Sequence, residues 1–210
     1  MHLSRLKPVK RLWRVLLRLG LNEDSYLVQT GWFDSHLNGQ STLAGSPVPW
    51  YTYAAINFLS PRLKPHMEVF EYGSGNSTLW YAERVAHVVT CEHDREWADI
   101  VRKNLPQNAV LAERPLGSAY VDEIGNYDRK FDIVAIDGRM RSACSRRCVP
   151  YLSPGGVIIW DNSERQEYQE AMTALERDGF RRIDFIGMGP INIYGSMTSI
   201  FYRSDNVLGI

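Results

Sequence analysis

Two stretches of the chain hold residues whose types and spacing could bind a nucleotide-like ligand. Met67 to Thr78 reads MEVFEYGSGNST, an apolar run ending in Glu71, then Gly73 and Gly75, then Ser77 and Thr78. His87 to Asp94 reads HVVTCEHD, a second apolar run ending in Glu92. An acidic residue thus follows the glycine loop at the spacing of one strand–helix–strand unit, about 20 residues. Glycines lack a Cβ and let the backbone approach a ligand closely. A carboxylate at the tip of the second strand can accept hydrogen bonds from two ribose hydroxyls. The dinucleotide fingerprint wants a third small residue where Thr78 stands. Glu71 at the strand end would repel a pyrophosphate but attract a sulfonium and an α-amino group. These residues favour S-adenosylmethionine over NAD.

A second group lies further along. FDIVAID ends in Asp137, and Asp161 and Asn162 close the run that follows Pro154-Gly155-Gly156. In an open α/β sheet, ligands bind at the carboxyl ends of the strands, which would put these side chains beside the cofactor. Two carboxylates and an amide oxygen are suitable hard ligands for Mg²⁺ or a similar ion.

With these motifs the chain resembles the class I methyltransferases over residues 66–203. The resemblance implies that Glu71, Gly73, Gly75 and Ser77 hold the methionine end and Glu92 the ribose. Asp137, Asp161 and Asn162 would then face the acceptor. His93 would flank the adenine or ribose, or stand as a solvated strand-end residue. IDG, LSPGG and WDN also resemble the divalent-metal-dependent O-methyltransferases of the catechol and caffeoyl-CoA type, in which the ion holds two adjacent acceptor oxygens. Those enzymes often carry a lysine three positions after the first Asp. Here that position is Met140, between Arg139 and Arg141. An arginine stays protonated and cannot serve as a base, but it could clamp a carboxylate or phosphate of the acceptor. Three readings stay open: a metal site at Asp137, Asp161 and Asn162, a metal-free site in which Asp137 and Asp161 orient substrate and cofactor, or a structural role with Asp161 or Asn162 capping the following helix. TGW at 30–32, PVPW at 47–50, FEYGSGNST, CEHD, IDGRMR, WDNSER and TSIFYR are similar to phrases in a group of uncharacterised bacterial methyltransferase-like proteins.

The elements that must position these residues follow from pattern. Strands are expected at 67–72, 87–92, 108–113, 131–137 and 157–160, with a closing pair at 180–186 and 197–203. Helices are expected at 4–19, 50–59, 77–85, 94–104, 141–151 and 165–178. Residues 22–49 read as less regular, and Pro154 to Gly156 as a turn. Strands and helices alternating this way predict a doubly wound, mostly parallel seven-stranded sheet. Residues 1–60 would form an N-terminal helical extension or lid, with Trp32, Trp50 and Tyr51 as lid or core aromatics. Residues 61–210 would form the catalytic part of one compact domain.

The 210 residues are 44% hydrophobic and 23% charged, enough for a full core. The net charge is 0, which gives no general attraction to nucleic acid. Three cysteines make no disulfide framework, and Cys144 and Cys148, four apart, read as buried helix residues in a reducing, cytoplasmic setting. No run is apolar enough to span a membrane. Residues 1–20 alternate Arg5, Lys7, Lys10, Arg11, Arg14 and Arg18 with Leu, Val and Trp. This basic amphipathic helix would dock on its own domain, on a second copy in a homodimer, or peripherally on an anionic membrane. No motif for amino methylation, for a cytosine-type nucleophile or for a P-loop is present. The expected activity is methyl transfer from S-adenosylmethionine to an oxygen of a small-molecule or sugar-like acceptor. A non-catalytic binding protein acting through its N-terminal helix is the alternative. Polyamine synthesis on the same fold would want extra acidic residues where Arg139 and Arg141 stand.

Overall fold

The computed structural model describes residues 6–210, with side-chain surroundings from Val9 onward. Helix α1 (Leu6–Leu21) leads into two short helices, α2 (Tyr26–Gln29) and α3 (Trp32–Asn38), and a small hairpin, β1 (Thr42–Leu43) with β2 (Ser46–Pro47). Helix α4 (Tyr53–Leu59) follows, and then the main alternation begins. It runs β3 (Glu68–Tyr72), α5 (Asn76–Ala82), β4 (His87–Glu92), α6 (Arg95–Arg102), β5 (Ala109–Glu113) and α7 (Ser118–Asp122). Then come β6 (Phe131–Ile136), α8 (Arg141–Cys148), β7 (Leu152–Asp161), α9 (Gln169–Arg177), β8 (Arg181–Gly187) and β9 (Ser196–Tyr202).

The main sheet has seven strands in the order β5-β4-β3-β6-β7-β9-β8. Strands β5, β4, β3, β6 and β7 pair in parallel, and β9 runs antiparallel between β7 and β8. The order reverses between β3 and β6, so a crevice opens where the chain turns away in both directions.

Strand parity decides what each face carries, because successive side chains point to opposite sides. Phe70, Tyr72, Val134, Ile136, Ile158 and Trp160 pack on one face with Cys144, Cys148 and Met172. Val69, Ile133, Ala135, Val157 and Ile159 pack on the other with Tyr51, Ile56, Leu59, Trp80 and Tyr81. Glu71 has the parity of Val69, Asp137 that of Ala135 and Asp161 that of Ile159. Glu71 pairs with Ala135, and Ala135 with Ile159, in neighbouring strands. The three carboxyls therefore rise from one face at adjacent strand ends, under the helices that Tyr51 and Tyr81 anchor.

Three local expectations differ from what is observed. Pro154 to Gly156 lie inside β7 rather than in a turn. A Cβ on Gly156 would meet Phe131 O at 2.8 Å and one on Gly155 would meet Asp205 O at 2.9 Å, so these glycines serve close approach. The register shifts between Phe131 and Ile133 to absorb the extra residues. Helix α7 was not foreseen, being five residues long. Residues 22–49 hold α2 and α3, the latter bounded by Gly31 and Gly39 in the left-handed region.

Candidate active site

The loop after β3 is shaped by two backbone positions that demand glycine. Gly73 and Gly75 have φ of +106° and +147°. A Cβ at Gly73 would lie 3.1 Å from Gly138 N, so the glycine loop and the Ile136-Asp137-Gly138 turn pass each other backbone to backbone. Gly138, which the sequence reading passed over, is equally constrained: its Cβ would lie 2.9 Å from Gly73 N. The signal was available in the IDG triplet beside the G-x-G loop. Gly75 begins α5, and its N–H donates to Thr78 Oγ1 (3.1 Å). Trp97, early in α6, covers this turn and donates from Nε1 to Ser74 O (2.9 Å).

Glu71 is fully buried beneath the loop. Its carboxyl accepts hydrogen bonds from the Ser77 and Thr78 hydroxyls, the latter at 2.6 Å. Among the described residues it has no cationic partner. Burial raises its pKa from 4.5 to about 8, against the lowering effect of the two hydroxyls. A buried carboxyl without a cation, set under a cradle that side chains would fill, fits a ligand that brings its own positive charge. Ser77 is also buried, so its hydroxyl serves Glu71.

Glu92 ends β4 and is held by its own loop. Its Oε1 accepts from the backbone N–H of His93 (2.7 Å) and Asp94 (3.0 Å), and its Oε2 from Ser74 Oγ (2.9 Å). His93 Nδ1 lies 2.8 Å from the same Oε1, and the ring is partly exposed. These bonds fix the direction of the carboxylate, the preorganisation that recognition of a diol requires.

At the ends of β6 and β7 the arrangement departs from the metal site expected at Asp137, Asp161 and Asn162. Arg141, almost wholly buried, takes the central place. Its Nε donates to Gly138 O (3.0 Å), its Nη1 to Asp161 O, and its Nη2 to Asp137 O (2.9 Å) and Asp137 Oδ1 (3.1 Å). Asp161 Oδ1 accepts from Thr198 Oγ1 (2.8 Å), and Thr198 Oγ1 accepts from Thr52 N–H (3.0 Å). Asn162 is in the left-handed region at φ +53° and its Oδ1 accepts from Arg165 (3.1 Å). The three oxygen donors are thus engaged by the chain's own groups, two of them by guanidinium ions that would repel a metal cation. Among the described residues no group of three or more His, Cys, Asp and Glu could hold a metal ion. The residues do not fit a divalent ion. Arg141 is an internal clamp, whereas Arg139, the other arginine expected to clamp the acceptor, is exposed beside it.

Burial raises the pKa of Asp137, with Arg141 opposing the shift. Burial and the neighbouring charge of Asp137 raise that of Asp161 to about 8. Two further groups complete the cluster. Tyr51 and Tyr81, neither exposed to solvent, are hydrogen-bonded through their hydroxyls at 3.1 Å. The segment that carries Tyr51 is tied to the loop between β8 and β9: Tyr53 N–H donates to Met188 O (2.9 Å), Trp32 Nε1 to Asn192 O (3.1 Å), and His36 Nδ1 bonds Ile191 O (2.9 Å). Trp50, Ile193 and Tyr194 project outward from this wall.

Residues 70–163 match the family model described as a methyltransferase domain, a span that includes Glu71, both loop glycines, Glu92, Asp137 and Asp161. The chain has the fold of the class I methyltransferases. A candidate caffeoyl-CoA O-methyltransferase from Staphylococcus aureus shares 14% identity, over 93% of this chain and 100% of that one, with a TM-score of 0.58. An rRNA methylase from Streptococcus thermophilus shares 13% over 71% and 95%, with a TM-score of 0.57. A candidate methyltransferase from Streptococcus mutans, solved with S-adenosylhomocysteine, shares 14% over 70% and 95%, with a TM-score of 0.53. These likenesses are of fold, and the fold serves several acceptors. No curated protein matches the chain.

Proposed function

We propose that this methyltransferase domain transfers the methyl group of S-adenosylmethionine to an oxygen of a small-molecule or sugar-like acceptor, without a metal ion. The observation that carries the reading is the row of carboxyls on one sheet face: Glu71 and Glu92 flank the glycine loop, and Asp137 stands at the acceptor side, partly open. The bound cofactor supplies an electrophilic methyl carbon on a sulfonium. Glu92 accepts hydrogen bonds from the ribose hydroxyls, and the Gly73–Gly75 backbone lies against the methionine end. The positive charge of the bound cofactor favours the ionised form of Glu71, which then contributes negative charge from below, and Glu71 orders Ser77 and Thr78.

Asp137 takes the proton of the acceptor hydroxyl as its oxygen forms the bond to carbon and the carbon–sulfur electron pair stays on sulfur. Burial raises the basicity of Asp137, which favours proton transfer to it. Burial and the charge of Asp137 raise the pKa of Asp161, which favours one negative charge on the pair rather than two. Arg141 holds both strand ends in place and balances that charge. Trp50, Ile193 and Tyr194 form the outer wall against which an acceptor would lie.

The test has two stages. Calorimetric titration should show binding of S-adenosylhomocysteine. A methylation screen of phenols, sugars and carboxylates should then find turnover that persists in EDTA. Asp137→Asn should abolish turnover while S-adenosylhomocysteine still binds. Loss of activity in chelator, restored by Mg²⁺, would reject the metal-free mechanism.

A further inference from the structure

Helix α1 stands apart from everything described above. Val9, Lys10, Arg11, Leu12, Trp13, Arg14, Val15, Leu16, Leu17, Arg18 and Leu19 are all exposed, with Trp13 at 61% and Leu12 at 59%. The helix meets the body at its last turn, where Ser25 Oγ donates to Leu19 O (2.7 Å) and Gly20 lies against Phe33. At 3.6 residues per turn, Lys10, Arg11, Arg14 and Arg18 fall within an arc of roughly 100°. Val9, Leu12, Trp13, Val15, Leu16, Leu17 and Leu19 fill the complementary arc of roughly 200°. The helix contains no acidic residue.

We infer that α1 is a docking helix for an anionic bilayer surface. The charge pattern selects this occupant. The cations lie together on one side with nothing of opposite sign on the helix to neutralise them, while the whole chain has net charge 0. The complementary surface must therefore supply negative charge along the same line that accepts apolar side chains. Lipid headgroups above acyl chains do this, with the Trp indole at their boundary. A coiled-coil partner would need only a narrow apolar stripe flanked by charges of both signs. No helix among the described residues is long and apolar enough to cross a membrane, so the contact is peripheral.

Docking there has a spatial consequence for the site. Helix α1 joins α2 and α3, and α3 holds the loop between β8 and β9 through Trp32 and His36. That loop carries Ile193 and Tyr194, both well exposed. The acceptor side is thus linked to the docking helix through one continuous piece of the fold.

The experiment uses the full chain and sedimentation with vesicles of phosphatidylcholine alone or of equal parts phosphatidylcholine and phosphatidylglycerol. Binding is expected to the mixed vesicles, to fall steeply in high salt, and to be weak on phosphatidylcholine alone. Leu16→Glu should reduce binding at least about tenfold, the scale for losing one buried Leu side chain. The double change Arg14→Glu with Arg18→Glu should remove the preference for the mixed vesicles. Both sets of changes lie on exposed positions, and an unchanged melting temperature verifies the fold. Equal recovery with and without mixed vesicles would overturn the proposal. So would a concentration-dependent dimer that Leu16→Glu dissociates, since a second copy would then cover the face. A large fall in melting temperature on Leu16→Glu would also overturn it, by placing that face against the chain's own body.

Discussion

At the scale of single residues, the site is a set of carboxyls that differ in what surrounds them. Glu92 has two backbone N–H donors and a serine hydroxyl to hold it. Glu92→Ala should weaken S-adenosylhomocysteine binding by roughly 1–3 kcal/mol, the range for losing a charged hydrogen-bond acceptor. Calorimetric titration reads this directly, and an unchanged affinity would take the ribose away from Glu92. Glu71 and Asp161 have pKa values raised from 4.5 and 3.8 to about 8 in the folded chain. A raised carboxyl favours folding when protonated, so this contribution is full below about pH 4 and lost as pH rises through about 8. The melting temperature of the ligand-free protein should therefore decline between pH 5 and 8. In Glu71→Gln the decline should be shallower, and an identical slope in the variant would refute the role given to Glu71.

At the scale of elements, the crossing of the glycine loop with the Asp137–Gly138 turn fixes the crevice, and Arg141 fixes the crossing. Its guanidinium bonds three carbonyl oxygens and one carboxylate from the ends of β6 and β7. Arg141→Met leaves those acceptors buried and unpaired, with an expected loss on the order of 3 kcal/mol in chemical denaturation. A loss within experimental error would mean that water replaces the guanidinium. This clamp was not legible in the sequence, where Arg139 and Arg141 looked equivalent. What separates them is the helix start: Met140 adopts φ +52° as the cap of α8 and turns Arg141 inward. The central strands β3, β4, β6 and β7 were legible because each is an apolar run largely buried on both faces, and β4 was placed at its observed limits. The acidic ends of those strands were legible for the same reason. The Tyr51–Tyr81 hydroxyl pair joins residues 30 positions apart, and no local pattern encodes such a contact.

At the scale of the whole molecule, two cores lie on either side of one sheet, and the chemistry sits where one of them meets solvent. The three thiols lie on the opposite core or on β4, all buried and unpaired. Burial pushes the pKa of Cys91 up to about 12 and raises those of Cys144 and Cys148 as well. A thiol held protonated in an apolar core is a poor nucleophile. Ellman's reagent should therefore find almost no reactive thiol in the native protein and three after denaturation. Fast reaction of one thiol in the native state would show that its core opens on the timescale of the assay.

The place of β9 also has a consequence during synthesis. The chain makes β7 and β8 before β9, yet β9 must lie between them. Until the ribosome has released residues 196–202, β7 presents a bare edge and β8 has no neighbour to pair with. The same last strand brings Thr198 to Asp161 and, through it, to Thr52. A nascent chain can thus assemble the glycine loop and its ribose carboxylate first, while the acceptor side waits for the final strand. The open edge of β7 is the surface on which an unfinished or truncated chain would pair with another.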